Sequence, residues 1–127
     1  MTPYQGDCIL LEGMAFYAFH GASDEERRLG GRYLVDLEAR LPLDKPGASD
    51  RLEDTVDYSA LYRVVREVML GPPHTLVEAL AEEIARQVLE RFPQVEAVRV
   101  VVRKAPPPIK GAFLASAGGQ VFRQRNG

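Results

Sequence analysis

An α+β domain of order ββααββ is predicted from two observations. Stretches of alternating or β-branched apolar residues lie toward both ends of the chain, and two stretches with helical spacing lie in the middle. The 127 residues are one domain's worth and are read as a single domain over 1–127. Hydrophobic residues make up 46% and charged residues 27%, an ordinary globular balance far from that of a disordered chain.

The elements follow in order. Cys8 to Ala18 is apolar and aromatic and reads as a strand, with Gly13 as a bulge candidate. His20 to Gly31 is polar and bounded by glycine, and reads as a loop. From Tyr33 to Leu41, residues Tyr33, Val35, Leu37, Ala39 and Leu41 fall on one face. Asp36, Glu38 and Arg40 fall on the other, the pattern of an antiparallel strand with one wet face. Pro42 to Asp54 carries turn residues and reads as a second loop.

Ser59 to Leu70 predicts an amphipathic helix with an N-cap at Asp57 or Ser59, because Leu61, Val64, Val65 and Val68 recur at helical spacing. Gly71-Pro72-Pro73 ends it. Thr75 to Glu78 has the capping-box form, which predicts a helix start with Glu78 at N3. Leu76, Leu80, Ile84 and Val88 then form its core stripe, and Phe92-Pro93 closes it. Val95 to Arg103 is a β-branched strand. Ala105 to Gly111 is a stiff extended loop, since proline fixes φ and cannot donate to a ladder. Ala115 to Arg123 is read as a last strand weakened by Gly118 and Gly119. Four such strands leave edges that must be covered, and joining subunits edge to edge into a barrel is one solution.

Several function classes are disfavoured. The formal net charge is -2, so no basic field recruits nucleic acid. Cys8 is the lone cysteine, so no intramolecular disulfide forms; with His20 and His74 it gives no metal-ligand spacing, and no metal site is expected. No run approaches the roughly 18 apolar residues that span a membrane. Met1 to Asp7 lacks the charged and apolar regions of a signal peptide, so the expected location is the cytoplasm.

Segments spread along the chain carry a resemblance. They are Leu11-Glu12-Gly13-Met14, Phe16 to Gly21 with Glu26 beyond, and Gly30 before Tyr33 and Val35-Asp36-Leu37. Asp54 to Tyr58 with Leu61-Tyr62, Leu76 to Glu82, Phe92-Pro93, and Val100 to Lys104 with Pro107 to Gly111 complete the set. Each piece is weak by itself; in register they make the chain similar to the dihydroneopterin aldolase family.

The resemblance implies the tunnelling fold, an antiparallel sheet with two helices on one face and subunit sheets joined into a barrel. It implies a homo-octamer of two stacked tetrameric rings, with active sites between subunits. The implied activity is cofactor-free retro-aldol cleavage of 7,8-dihydroneopterin in folate biosynthesis, in many members accompanied by 2′-epimerisation. The products are 6-hydroxymethyl-7,8-dihydropterin and glycolaldehyde. The pterin C6=N5 bond is itself the electron sink, so the protein needs only proton transfer and positioning.

By the same resemblance Lys104, Tyr58 and Glu26 are the candidate catalytic residues. Lys104 matches the family lysine, working with Tyr58 and an ordered water on the 2′-hydroxyl proton. Tyr58 matches the tyrosine associated with protonation at C1′, and Glu26 the acidic residue of the loop after the His-Gly pair. Glu78 matches the pterin anchor, accepting from N3–H and the 2-amino group. Leu76 and Val77 line its surroundings, and Val56 and Tyr58 reach the pocket from the neighbouring subunit.

Read only locally, Glu78 is half of a capping box, Lys104 a solvated strand end, and Tyr58 a part-buried aromatic. Glu26 is one carboxylate of a charge run, with Glu25 the adjacent register. His20 reads as structural, fixing a turn with Gly21, and His74 as exposed. Two departures from the family pattern stand out: Gly31 replaces a common glutamine, and Ala112 to Gly119 is unusually rich in alanine and glycine. Two other functions remain open. One is a 2′-epimerase on dihydroneopterin or its triphosphate; the other is a non-catalytic tunnelling-fold protein binding a pterin or purine through Glu78.

Overall fold

Period-two alternation in β2 (Gly31–Arg40) turns Tyr33, Val35, Leu37 and Ala39 into the core, all buried. Their register partners in β3 (Ala97–Lys104) are core valines: Val35 opposes Val102, Leu37 opposes Val100 and Ala39 opposes Val98. β1 (Cys8–Ala18) pairs with β2, and β4 (Ala117–Gln124) with β3. The result is one antiparallel sheet of order β1-β2-β3-β4, with β1 and β4 as its edges. The computed structural model describes residues 6–125. Residues 1–5, part of the N-terminal segment read for a signal peptide, lie outside the described residues.

The helices cover one face of the sheet. α3 (Tyr58–Met69) buries Leu61, Val64, Val65, Val68 and Met69, the predicted stripe with one addition. Asp57 caps it, its carboxylate accepting from the Ser59 N–H at 2.9 Å. α4 (Val77–Arg91) buries Leu80, Ala81, Ile84, Ala85 and Val88. These side chains and the inward faces of the strands form one hydrophobic cluster. The other sheet face carries cross-strand ion pairs, Asp36–Arg103 at 2.6 Å and Glu38–Arg99 at 2.8 Å. Gly13 has φ +67° where the β1–β2 register slips between Leu11 and Met14, so the expected bulge is present.

Six sequence expectations need correction. The loop at 20–31 contains a helix, α1 (Asp24–Leu29), and the loop at 42–54 contains α2 (Asp44–Ser49) and a 3₁₀ turn at Leu52–Asp54. The proposed capping box at Thr75 does not form: Leu76 is the N-cap of α4, with no side-chain cap. Glu78 is therefore at N2, where the helix dipole still favours a carboxylate. Leu76 leaves the core stripe and is 52% exposed, because it precedes the first helical turn. Arg40 is only 8% exposed, since its guanidinium reaches Glu38 and lies over the Phe122 ring at 5.8 Å. Finally, His74 is half-buried rather than exposed.

Candidate functional site

The site begins with a serine. Ser23 and Glu26 form a capping box at the start of α1: Ser23 Oγ accepts from the Glu26 N–H at 3.1 Å, and Glu26 Oε1 accepts from the Ser23 N–H at 3.2 Å. This fixes the Glu26 carboxylate to the helix start. Its second oxygen, Oε2, accepts from Lys104 Nζ at 3.1 Å. Gly21 makes room for the arrangement. Its φ is +145°, and a Cβ there would come within 2.5 Å of Glu26 Cβ.

Lys104 is the last residue of β3 and opposes Tyr33 across the ladder. Its ammonium lies 5.4 Å from the centre of the Tyr33 ring, a cation–π contact. Its stem passes Gly31, where a Cβ would sit 2.7 Å from Lys104 Cε. The departure from the family glutamine thus falls beside this lysine. Desolvation pushes the Glu26 carboxyl up, but hydrogen bonds from Lys104 and Ser23 and the Lys104 charge outweigh it. The carboxyl is held below the usual carboxylate range. Burial raises the Tyr33 phenol, with Lys104 opposing that shift.

His20 is 2% exposed beneath this pair. Its Nε2 is 2.7 Å from the Met69 carbonyl, and its Nδ1 accepts from the His74 N–H at 3.0 Å. The Tyr33 hydroxyl donates to the His20 carbonyl at 3.0 Å.

One cleft of about 390 Å³ gathers these parts. Glu26 and Lys104 lie in its lining, and so do Leu76, Val77 and Glu78 from the start of α4. Pro107, Pro108 and Ile109 of the stiff loop add an apolar wall, and Ala117 and Gly118 of β4 complete the side toward the sheet. The space beside Glu78 depends on β4, since a Cβ on Gly119 would lie 3.2 Å from Glu78 Cγ. The cleft therefore offers an ammonium–carboxylate pair, a separate carboxylate at a helix start, and apolar walls. That is a set suited to a flat polar heterocycle with a reactive side chain.

Five of the sequence-predicted site residues share this cleft: Glu26, Leu76, Val77, Glu78 and Lys104. Val56 and Tyr58 do not. They line a second cleft with Ile9, Leu43 and Leu52, and Tyr58 is 64% exposed. Sequence reasoning treated Tyr33 as core and His20 as a turn residue, although both line the cleft. The alternation that put Tyr33 inside, together with its register opposite Lys104, was the available signal. Among the described residues, no three His, Cys, Asp or Glu side chains cluster in a way that could hold a metal ion. No described helix is long and apolar enough to cross a membrane.

Comparison with known proteins gives a consistent picture. A family model described as FolB, dihydroneopterin aldolase, matches residues 9–121. The chain is 44% identical over 121 residues to dihydroneopterin aldolase 1 of Arabidopsis thaliana, covering 95% of this chain and 83% of that protein. The fold is similar to that of E. coli dihydroneopterin aldolase in complex with neopterin, with TM-score 0.84, 26% identity, and coverage of 92% of this chain and 98% of the other. It is also similar to a dihydroneopterin aldolase from Burkholderia thailendensis bound to guanine, with TM-score 0.75, 28% identity, and coverage of 94% and 93%.

Proposed function

The chain belongs to the dihydroneopterin aldolase family, and from that premise we propose how its own residues bind and cleave the pterin. The enzyme is a lyase that cleaves dihydroneopterin. The observation that carries the assignment of roles is the division of one cleft, with the Lys104–Glu26 pair facing the same space as Glu78. Neopterin and guanine, bound by the two related structures, both present a ring N–H beside a 2-amino group. Glu78 is the group in the cleft that accepts from both in a charge-assisted pair. Leu76 and Val77 flank it, and the proline loop covers the ring face.

With the ring held at Glu78, the side chain at C6 extends toward Lys104. The 2′-hydroxyl loses its proton toward an ordered water held by Lys104 and Tyr58. The C1′–C2′ bond then breaks, and C2′ becomes the aldehyde carbon of glycolaldehyde. The bonding pair moves into the C6=N5 system and makes an enol, with N5 taking a proton. Tyr58 delivers a proton to C1′ as N5 releases its own and the C6=N5 bond re-forms, which gives 6-hydroxymethyl-7,8-dihydropterin. Glu26 fixes the Lys104 ammonium and is ionised in doing so. No cofactor enters this sequence.

Val56 and Tyr58 complete the pocket from the neighbouring subunit. Their separation from the Lys104 cleft within one chain, the exposure of Tyr58, and the open β1 and β4 edges support that reading. The whole chain then acts as one domain, its sheets closing into a barrel of tetrameric rings paired as an octamer, in the cytoplasm.

The test is to incubate metal-stripped protein with 7,8-dihydroneopterin under anaerobic conditions and quantify both products. Equal amounts of 6-hydroxymethyl-7,8-dihydropterin and glycolaldehyde are expected. Epimer without cleavage would instead assign the site to 2′-epimerisation, and tight pterin binding without either product would leave only the binding role.

A further inference from the structure

Two segments carry the proposed working groups. One runs from the end of β1 into α1 and holds Glu26; the other runs from the end of α3 into the first turn of α4 and holds Leu76, Val77 and Glu78. They meet at His20. The Gly21 N–H donates to the His74 carbonyl at 2.9 Å, and the His74 N–H donates to His20 Nδ1 at 3.0 Å. The other ring nitrogen, Nε2, is 2.7 Å from the Met69 carbonyl at the end of α3. A carbonyl only accepts, so Nε2 carries the proton; an N–H only donates, so Nδ1 carries a lone pair. Both ring nitrogens of a buried imidazole are thus committed to backbone groups, in one tautomer and one charge state.

We infer that His20 is a positioning residue, whose neutral ring pins the α3–α4 connection at His74 and thereby places Glu78 for the pterin ring. The inference rests on the reading of Glu78 as the pterin anchor. The path is short, since His74 lies four residues before Glu78. The other supports of this corner do not involve the ring. Tyr33 donates to the His20 carbonyl, and Arg27 Nη1 donates to the Gly21 carbonyl at 2.7 Å. Losing the ring's own bond to His74 therefore acts on the anchor side of the cleft more than on the Lys104–Glu26 side.

The ring is also a pH-dependent element. A second proton can go only on Nδ1, where it would face the His74 N–H and set donor against donor. The groups around it are the His74 ring at 5.8 Å on the α3–α4 connection and the Tyr33 ring at 5.6 Å on β2. Beyond Tyr33 lies Lys104 of β3, paired with Glu26 of α1, and Arg27 of α1 reaches the adjoining carbonyl. α3 presents the Met69 carbonyl to Nε2. Burial holds the imidazole below its ordinary range; the Met69 bond opposes this, and the His74 and Lys104 charges add to it. The neutral ring's contribution is complete above the unfolded pKa, about 6.5. It is lost as the pH falls through the lower folded value.

Two substitutions separate the bonds. In His20→Asn the side-chain oxygen can take the place of Nδ1 and accept from His74. In His20→Gln the amide nitrogen can take the place of Nε2 and donate to Met69. KM and kcat for dihydroneopterin would be measured for both variants and the wild type from about pH 5 to about pH 8. His20→Gln is expected to raise KM by about tenfold with little change in kcat, since one buried hydrogen bond is lost away from the reacting atoms. His20→Asn is expected to keep KM near the wild-type value and to lose the acid-side rise in KM. Equal KM values for the two variants, or an acid-side rise that persists in His20→Asn, would overturn the inference.

If His20→Gln does not fold, the wild-type and His20→Asn profiles still decide, together with the ¹⁵N chemical shifts of His20. An unprotonated Nδ1 at neutral pH is expected, and a protonated Nδ1 would overturn the inference. Failure of the pterin reading itself looks different, because the wild type would then neither bind nor cleave dihydroneopterin.

Discussion

At Glu26 a single carboxylate holds two partners, the Ser23 backbone through one oxygen and Lys104 through the other. Glu26→Gln keeps the shape and removes the charge, so turnover should fall by roughly 10²-fold if proton transfer at Lys104 depends on the pair. A steady-state assay checks this. Because the Glu26 pKa is held down in the fold, the stabilisation from its charge is present above the ordinary glutamate pKa and is lost as pH falls through the lowered value. Denaturation of wild type and Glu26→Gln across that acid window should therefore converge at its lower end. At the other side of the cleft, Glu78→Gln should weaken pterin binding by about 10–100-fold, the range for losing a hydrogen bond to a charged group. Calorimetric titration with a pterin product analogue measures it. Lys104, Glu26 and Glu78 were legible from their matches to a family pattern, because local chemistry gave each a bland alternative. His20 and Tyr33 were not, since His20 read as a turn residue beside Gly21 and Tyr33 as ordinary core until the register set Tyr33 opposite Lys104.

Among the elements, α1 matters most to the site despite its single turn and a half of helix. Its capping box places Glu26, so Ser23→Ala should cost about 1 kcal/mol of stability, as lost N-caps generally do. It should also reduce turnover through Glu26, and thermal denaturation alongside an activity assay separates the two effects. The pattern Ser23-Asp24-Glu25-Glu26 carried the capping signal in plain form. It went unread because the surrounding polar, glycine-bounded stretch looked like a loop. The mirror-image error occurred at Thr75, where the same pattern is present but the chain enters α4 one residue later, with Leu76 as the N-cap. A capping pattern names a pair of residues; only the backbone path into the helix decides whether they meet. The strands and the two long helices were legible because burial on one face imposes a period, which short helices held by caps do not show.

For the whole molecule, the open edges of the sheet and the separation of two half-sites point the same way. Tyr58 and Lys104 lie in different clefts of one chain, so the site proposed above draws on two copies. Subunit mixing tests this. Tyr58→Phe and Lys104→Ala proteins should each be nearly inactive. After equal mixing and reassembly, activity should recover to about a quarter of the wild-type sites, since each site draws one residue from each neighbour. No recovery in verified mixed oligomers would place both residues in one subunit's site. Uncovered strand edges suggested assembly, and the family resemblance alone set Tyr58 on the neighbouring subunit; local sequence did not separate Tyr58 from Lys104, because that depends on how two distant segments fold relative to one another.

The division of the cleft into a binding end and a reacting end is tested most directly with Lys104→Ala. Its dissociation constant for 6-hydroxymethyl-7,8-dihydropterin and its turnover of 7,8-dihydroneopterin would be measured on the same preparation. Turnover should fall by about 10²–10⁴-fold, the range for a lost acid–base group, while the dissociation constant stays within about threefold. Unchanged turnover, or a loss of binding that matches the loss of turnover, would contradict the assignment of Lys104 to the chemical step.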